Sequence, residues 1–173
     1  MISNPLPPIW TAYKTIQDCL KMSQKAIKTS DFIALLKKTD FMDKQAIESC
    51  KIIEQSKTEL DDLFVVALWA TYERFMRDYL QVKGKKLEEV SPDTLADLMY
   101  EHFYTEVEYW KPYDMLEMLK DTVSIALLGH AKQIVKYRDW VAHGRNPTKL
   151  PSAKIEPKSA YGTLNEIINQ LLL

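Results

Sequence analysis

The chain contains only two cysteines, Cys19 and Cys50, and both fall inside helical patterns without the close spacing of metal ligands. A disulfide framework and a cysteine metal site are therefore not expected, and both side chains are predicted to be small buried hydrophobes in a reducing compartment. Long apolar runs are missing too. No window approaches the roughly 18 uninterrupted apolar residues of a membrane span, and no basic region precedes an apolar core at the N-terminus. We therefore expect a cytoplasmic protein that does not associate with membranes.

Glycine and net charge are also scarce. Four glycines, 46% hydrophobic residues and 27% charged residues favour a packed helical protein over a disordered or β-rich one. The formal net charge of −1 argues against general attraction to nucleic acid, so a site for a polyanion has to be local. A length of 173 residues is sufficient for a core without disulfides or metal. We expect one domain, residues 1–173, folded as an all-α bundle of about five to seven helices.

Apolar residues at steps of three to four positions predict where the helices lie. Pro7 and Pro8 suit the first turn of a helix, Gly84 ends the second long pattern, and Ser91 is a candidate N-terminal cap. The second pattern predicts one helix, or two with a bend near residues 55–58, with its part 60–80 the most buried. A short turn is expected around Phe32 and Leu35. The predicted helices span about 9–28, 43–82, 92–106, 113–120, 122–143 and 158–173.

One stretch, from Lys136 to Arg145, gathers a histidine, an acid and several cations at the end of the last long helix. Gly144 predicts the helix stop, since glycine takes a left-handed conformation without steric cost. Asp139 and His143 are four positions apart and share a helix face, so the carboxylate is expected to accept a hydrogen bond from one imidazole nitrogen and orient the other. Arg138 points roughly 140° away from His143 on an ideal helix. A compact site therefore requires two copies of the chain.

The string Tyr-Arg-Asp-Trp-Val-Ala-His-Gly-Arg, with Arg138 and His143 separated by four residues, resembles the signature of the HEPN superfamily, in particular HEPN domains of bacterial toxin and defence systems. The segment 67–79, with Glu73 amid aromatic residues, is similar to the opening helix of those domains, so Glu73 is an accessory candidate. The resemblance implies a helical ribonuclease that works as a homodimer with a composite site, often as a toxin held by an antitoxin protein. Arg145 stands where many such toxins carry a tyrosine that accepts AMP, which argues against that form of control.

The chemistry of the motif agrees with RNA as substrate. The sequence from His130 to Lys158 contains seven basic residues and two acidic ones, so basic residues gather around the motif. RNA carries its own nucleophile, the 2′-hydroxyl, and a histidine with arginines at the phosphate is sufficient for cleavage without a metal ion or cofactor. We predict a metal-independent endoribonuclease. Its catalytic residues are Arg138, Asp139 and His143, and its RNA-binding residues are Arg145, Lys136 and Lys132.

Two other interpretations stay open at this stage. The chain can be a non-catalytic HEPN-like module that binds a nucleotide, RNA or a partner protein, because a fold does not fix a function. It can also be a helical interaction protein in which Arg138 pairs with an acid on a neighbouring helix and His143 is only a helix-end cation. Glu73 has a plain alternative as well, a helix residue bonded to Arg77. His102 and Glu106 have metal-ligand spacing but no third ligand, and a surface pair is preferred for them.

Overall fold

The computed structural model describes residues 2–29 and 36–173, and all of its regular secondary structure in these ranges is helical, with no strand. The predicted turn around Phe32 and Leu35 lies outside the described residues. The all-α prediction is confirmed for the described part of the chain. Its α-helices are α1 Leu6–Ile27, α2 Ala46–Gly84, α3 Asp93–Glu106, α4 Pro112–Glu117, α5 Ile125–Ala142 and α6 Pro157–Leu172, with short 3-10 helices at Lys85–Glu89 and Val107–Tyr109.

Helix α2 is the centre of the bundle and packs against α1, α3, α5 and α6. It runs for 39 residues without interruption, so the single-helix alternative is the right one. Its buried side chains recur at three- and four-residue steps, which places them on one stripe that faces the other helices. They include Phe64, Val65, Leu68, Trp69, Tyr72, Phe75 and Met76. Each such burial stabilises the fold by about 1.5–3 kcal/mol before the cost of ordering the side chain.

Helices α5 and α6 cover α2 and complete one continuous core. On α5 the inward positions include Leu128, Ala131, Ile134, Val135 and Tyr137, and on α6 they include Ala160, Leu164, Ile167, Ile168 and Leu171. Helix α1 adds Leu6 to the same core. Because α5 is fixed along its length against α2, its C-terminal end is held in a defined position.

Several predicted ends shift by a few residues. Helix α1 begins at Leu6 and not near residue 9, and Pro7 and Pro8 lie in its first turn as predicted. Helix α3 begins after Pro92, which takes the cap position in extended conformation; Ser91 makes no side-chain cap. Ser124 caps α5, where its side chain accepts a hydrogen bond from the Leu127 amide at 3.4 Å. The hydroxyl supplies a partner for a free N–H group, so α5 starts later than the apolar pattern suggests.

Gly84 ends α2 as predicted, but its φ of −65° is an ordinary right-handed helical value. The glycine is needed for another reason. A Cβ atom at this position would lie 2.2 Å from Cε1 of Phe103, so only glycine lets the α3 ring approach the α2 backbone.

The predicted burial of both cysteines is wrong. Cys19 is exposed and Cys50 is only partly buried, because each lies off the stripe by which its helix packs. Within the described ranges, none of the helices has both the length and the apolar character that crossing a bilayer requires.

Candidate functional site

The C-terminal end of α5 carries the candidate motif in a well-defined turn. Gly144 has φ of +81°, which confirms its predicted left-handed conformation after the helix, and Arg145 follows with φ of +55°. The Gly144 amide donates to the Val141 carbonyl at 3.2 Å, and the Arg145 amide donates to the Trp140 carbonyl at 2.8 Å. These two bonds form a Schellman motif. His143 is the C-cap residue and is exposed to solvent.

A cleft of about 720 Å³ opens beside this helix end. One wall is the last two turns of α5, which contribute Lys136, Asp139, Trp140 and His143; the other is the following loop, which contributes Asn146, Lys149, Leu150, Pro151 and Ser152. The structure thus brings Lys136, Asp139 and His143 of the predicted site together. Arg138, Arg145, Lys132 and Glu73 do not line the cleft.

The predicted hydrogen bond between His143 and Asp139 is not formed. Asp139 instead binds its neighbour, with 2.9 Å between its Oδ1 and Nη1 of Arg138. His143 has φ of −97° and ψ of 24°, outside regular helix geometry, so the ideal stacking of positions four apart no longer applies at this residue. Asp139 is 43% exposed, however, and faces the same cleft as His143.

Arg138 projects from the other side of α5, as the helical spacing predicts, and is held by residues of α2. Its Nη2 donates to Oε2 of Glu73 at 2.9 Å, and its guanidinium carbon lies 5.7 Å from the centre of the Trp69 ring. Nε of Arg138 is buried and has no hydrogen-bond partner among the residues that the structure describes. The arginine is therefore bonded by two carboxylates, those of Glu73 and Asp139, and stacked near an indole.

Glu73 forms the ion pair with Arg77 that the sequence suggested, and it also contacts the motif helix. It pairs with Arg77 four positions along, at 2.7 Å, and it also binds Arg138 on α5. Its Oε2 accepts a further hydrogen bond from Nε1 of Trp69 at 2.8 Å. The Glu73 side chain is only 18% exposed, so this acid is part of an α2–α5 junction that lies next to the motif.

A second junction fixes the turn itself. Arg145 reaches back to α2, where its guanidinium lies 2.9 Å from Oδ2 of Asp62 and 2.7 Å from Oε2 of Glu59. The hydroxyl of Tyr137 donates to Oδ1 of Asp62 at 2.6 Å. Burial, and then the hydrogen bond to Asp62, raise the pKa of Tyr137 well above its usual range. The bonds to Glu59 likewise raise the pKa of the Arg145 guanidinium.

The two predicted lysines differ from each other. Lys132 forms an ion pair with Glu117 of α4, and this ammonium group lowers the pKa of the Glu117 carboxyl. Lys136 is exposed in the cleft and has no ion-pair partner among the described residues. Three cations of the segment 132–145, namely Lys132, Arg138 and Arg145, are thus paired with acids on α2 and α4. The positive charge of the segment is smaller in the fold than along the sequence.

Asp62, Glu59, Trp69 and Lys149 belong to the site or its supports, and none of them is among the site residues predicted from the sequence. A signal was present for Asp62, because it stands at helical spacing with the buried Val65 and Trp69, and a buried acid requires a cation partner. Lys149 carried no such signal, since only the folded loop places it across from α5.

Other candidate ligands are dispersed. His102 and His130 are exposed. Among residues 2–29 and 36–173 no group of three or more His, Cys, Asp or Glu side chains is placed to hold a metal ion. Comparison with known proteins finds no match, neither a protein-family model nor a curated protein nor a solved structure.

Proposed function

We propose that this protein is a metal-independent endoribonuclease of HEPN type that cuts RNA at a site shared by two copies of the chain. The observation that carries the proposal is the position of His143. The imidazole stands exposed at a rigid helix end, in a cleft that also contains the ammonium of Lys136 and the carboxylate of Asp139. This set offers an acid–base group beside a cation that can hold a phosphate.

The proposed reaction is an internal transfer at phosphorus. One imidazole removes the proton of the 2′-hydroxyl, and the 2′-oxygen attacks the adjacent phosphorus. The bond from phosphorus to the 5′-oxygen breaks, and that oxygen takes a proton from a second, protonated imidazole. The products are a 2′,3′-cyclic phosphate and a 5′-hydroxyl. One chain supplies a single histidine at this point, so the second His143 comes from a twofold-related copy.

Arg138 lies outside the cleft of its own chain, so it is proposed as the ligand of the scissile phosphate in the site of the twofold-related copy. Its pairing gives Asp139 a different role from the one expected. Asp139 positions Arg138 and does not orient His143, while Glu73 holds the guanidinium from the α2 side. Asp139 is 43% exposed, and an ion pair of this kind contributes only about 0–1 kcal/mol, so a phosphate can displace it. Glu73 remains in place as the accessory residue.

The other cations divide between structure and binding. Arg145 is committed to Glu59 and Asp62, so we assign it to holding the motif turn against α2 and not to RNA. Lys132 can reach a phosphate only by leaving Glu117, whereas Lys136 is free to do so. A setting as the toxin of a toxin–antitoxin or antiphage system, with a neutralising antitoxin, rests on the HEPN resemblance alone.

One observation favours a second candidate, a non-catalytic module that binds RNA, a nucleotide or a partner protein. Both arginines of the motif are bonded to two carboxylates each, which is what a purely structural role would require. This candidate predicts binding without cleavage.

Cleavage of end-labelled single-stranded RNA in EDTA separates the two candidates. The parent protein, His143→Ala and His130→Ala are compared at equal concentration, and His130 is the matched control because it is an exposed histidine of the same helix. The proposal predicts cleavage by the parent and by His130→Ala, with the rate of His143→Ala reduced at least about a hundredfold. Equal rates for all three proteins would exclude His143 from the chemistry.

A further inference from the structure

The cleft beside His143 has an apolar side that the proposed reaction does not use. Trp140 forms part of its α5 wall, and Leu150 and Pro151 form part of the loop wall opposite. Its volume of about 720 Å³ is well inside the range of sites that take small organic ligands. There is room for a group much larger than the phosphate that His143 would act on.

The aromatic wall is fixed in place before any ligand arrives. Nε1 of Trp140 donates to the carbonyl of Asn146 at 3.0 Å, and the Tyr137 ring lies 5.8 Å from the Trp140 ring on the core side. The side chain of Asn146 in turn accepts hydrogen bonds from the Thr148 amide and hydroxyl, at 2.9 and 2.8 Å. Because these bonds order the start of the loop, binding to this wall costs little conformational entropy.

The two lysines of the cleft are free of ion pairs within the described part of the chain. Lys136 and Lys149 are exposed and have no ion-pair partner within the described residues, in contrast to Lys132, Arg138 and Arg145. The second carboxylate oxygen of Asp139 also has no partner there, so it can accept an N–H group. An aromatic face with two free ammonium groups is the combination by which proteins hold an unpaired nucleotide, whose base stacks while its phosphates bind cations.

We propose that this cleft is a base-binding subsite for one unpaired nucleotide of single-stranded RNA. The base lies against Trp140 and Leu150, and the flanking phosphates contact Lys136 and Lys149. This inference rests on the proposed function for the identity of the polymer and deepens it by naming the substrate class. A base inside a duplex is stacked on both sides and does not enter, so loops and single strands are the substrates.

Binding to a strand that cannot be cut tests the subsite apart from the chemistry. The probe is a fluorescently labelled 2′-deoxy hexanucleotide, compared by anisotropy with an abasic strand of the same length. The full chain should bind the intact strand about tenfold more tightly, as expected for stacking of one base. Trp140→Phe keeps an aromatic face and should keep this preference, while Trp140→Leu should remove it.

Two further variants separate base from phosphate contacts. Lys149→Glu should weaken binding of the intact strand and of the abasic strand by the same factor. Lys154→Glu, an equal charge change in the same loop but outside the cleft, should weaken neither. Should Trp140→Leu not fold, Leu150→Ser is the second test of the apolar side. The Leu150 side chain is 69% exposed and is not part of the core, so this change should leave the fold intact. It should lower the preference for bases only.

Three results would overturn the subsite. Equal affinity for the two strands would mean that the cleft binds any polyanion, including an acidic peptide, and does not recognise a base. Loss of the preference in Trp140→Phe as well as in Trp140→Leu assigns the effect to the hydrogen bond with Asn146. Absence of binding to both strands removes the subsite altogether. The ribonuclease proposal is tested separately by cleavage in EDTA. Binding with a preference for bases but without cleavage would support the subsite and reject the ribonuclease. Cleavage without a preference for bases would support the ribonuclease and reject the subsite.

Discussion

Two fully buried tyrosine hydroxyls give a matched test of how the motif is anchored. Tyr137 is 2% exposed and donates a 2.6 Å hydrogen bond to Asp62, whereas Tyr72 is 1% exposed and its hydroxyl has no partner in residues 2–29 and 36–173. Tyr137→Phe removes a hydrogen bond to a charged group and should lower the free energy of unfolding by about 2 kcal/mol. Tyr72→Phe removes a buried hydroxyl that nothing satisfies, and should raise the same free energy by about 1 kcal/mol.

Urea unfolding of the parent and both variants measures the difference. With a slope of about 2 kcal/mol per molar urea, the midpoint should fall by about 1 M in Tyr137→Phe and rise by about 0.5 M in Tyr72→Phe. The corresponding change in melting temperature for Tyr137→Phe is about 4–8 °C downward. If both variants move in the same direction by equal amounts, the hydrogen bond between Tyr137 and Asp62 contributes nothing and the anchoring argument is wrong.

The sign of a pH effect follows from the same bond. The pKa of Tyr137 is raised in the folded protein, first by burial and then by the hydrogen bond to Asp62. Its contribution is therefore complete below the pKa of an unfolded tyrosine, about 10, and is lost as pH rises through the folded value. The stability advantage of the parent over Tyr137→Phe should shrink above about pH 10. An advantage that grows with pH would contradict this assignment.

Three further outcomes are expected. Gly84→Ala should destabilise the fold by about 1–3 kcal/mol, because a Cβ atom there meets the Phe103 ring at 2.2 Å, and Phe103→Leu in the same chain should recover part of the loss in urea unfolding. The pKa of the Glu108 carboxyl is lowered mainly by its hydrogen bond to Arg74. The contribution of Glu108 to stability is therefore present above the usual pKa of a glutamate and disappears as pH falls. Glu108→Gln should make the urea midpoint depend less on pH between about pH 5 and pH 2. In 1:1 mixtures of parent and His143→Ala chains that have exchanged subunits, the rate of RNA cleavage should fall to about a quarter of the rate of the parent at the same total chain concentration, since only one dimer in four then has both imidazoles. A fall to one half would mean that each site uses one imidazole.

Local signals were enough to predict the helices. The spacing of apolar residues and the helix-breaking residues between them predicted α2 and α6 closely. Gly144 indicated the end of α5, because the turn there requires a left-handed residue. The errors at helix starts have local causes too. Ser124 and Pro92 occupy cap positions, and the apolar pattern alone does not separate a cap from the first turn.

The site was only partly predictable, because its pairings are tertiary. Glu73 stood out as an acid among aromatic residues, but its bond to Arg138 joins positions 65 residues apart. The partners of Arg145 lie on α2, more than 80 positions away, and nothing near the motif indicates them. Asp139 had two candidate partners at short range, His143 and Arg138, and the longer and more basic side chain binds it.

The central claim is that His143 performs acid–base chemistry on RNA without a metal ion, and the chemical ends of the products test it most directly. Single-stranded RNA incubated in EDTA with the parent protein, His130→Ala or His143→Ala is analysed by mass. We expect 2′,3′-cyclic phosphate and 5′-hydroxyl ends from the first two proteins and intact RNA from the third. Products with 5′-phosphate ends, cyclic-phosphate ends made equally by His143→Ala, or intact RNA with the folded parent would contradict it.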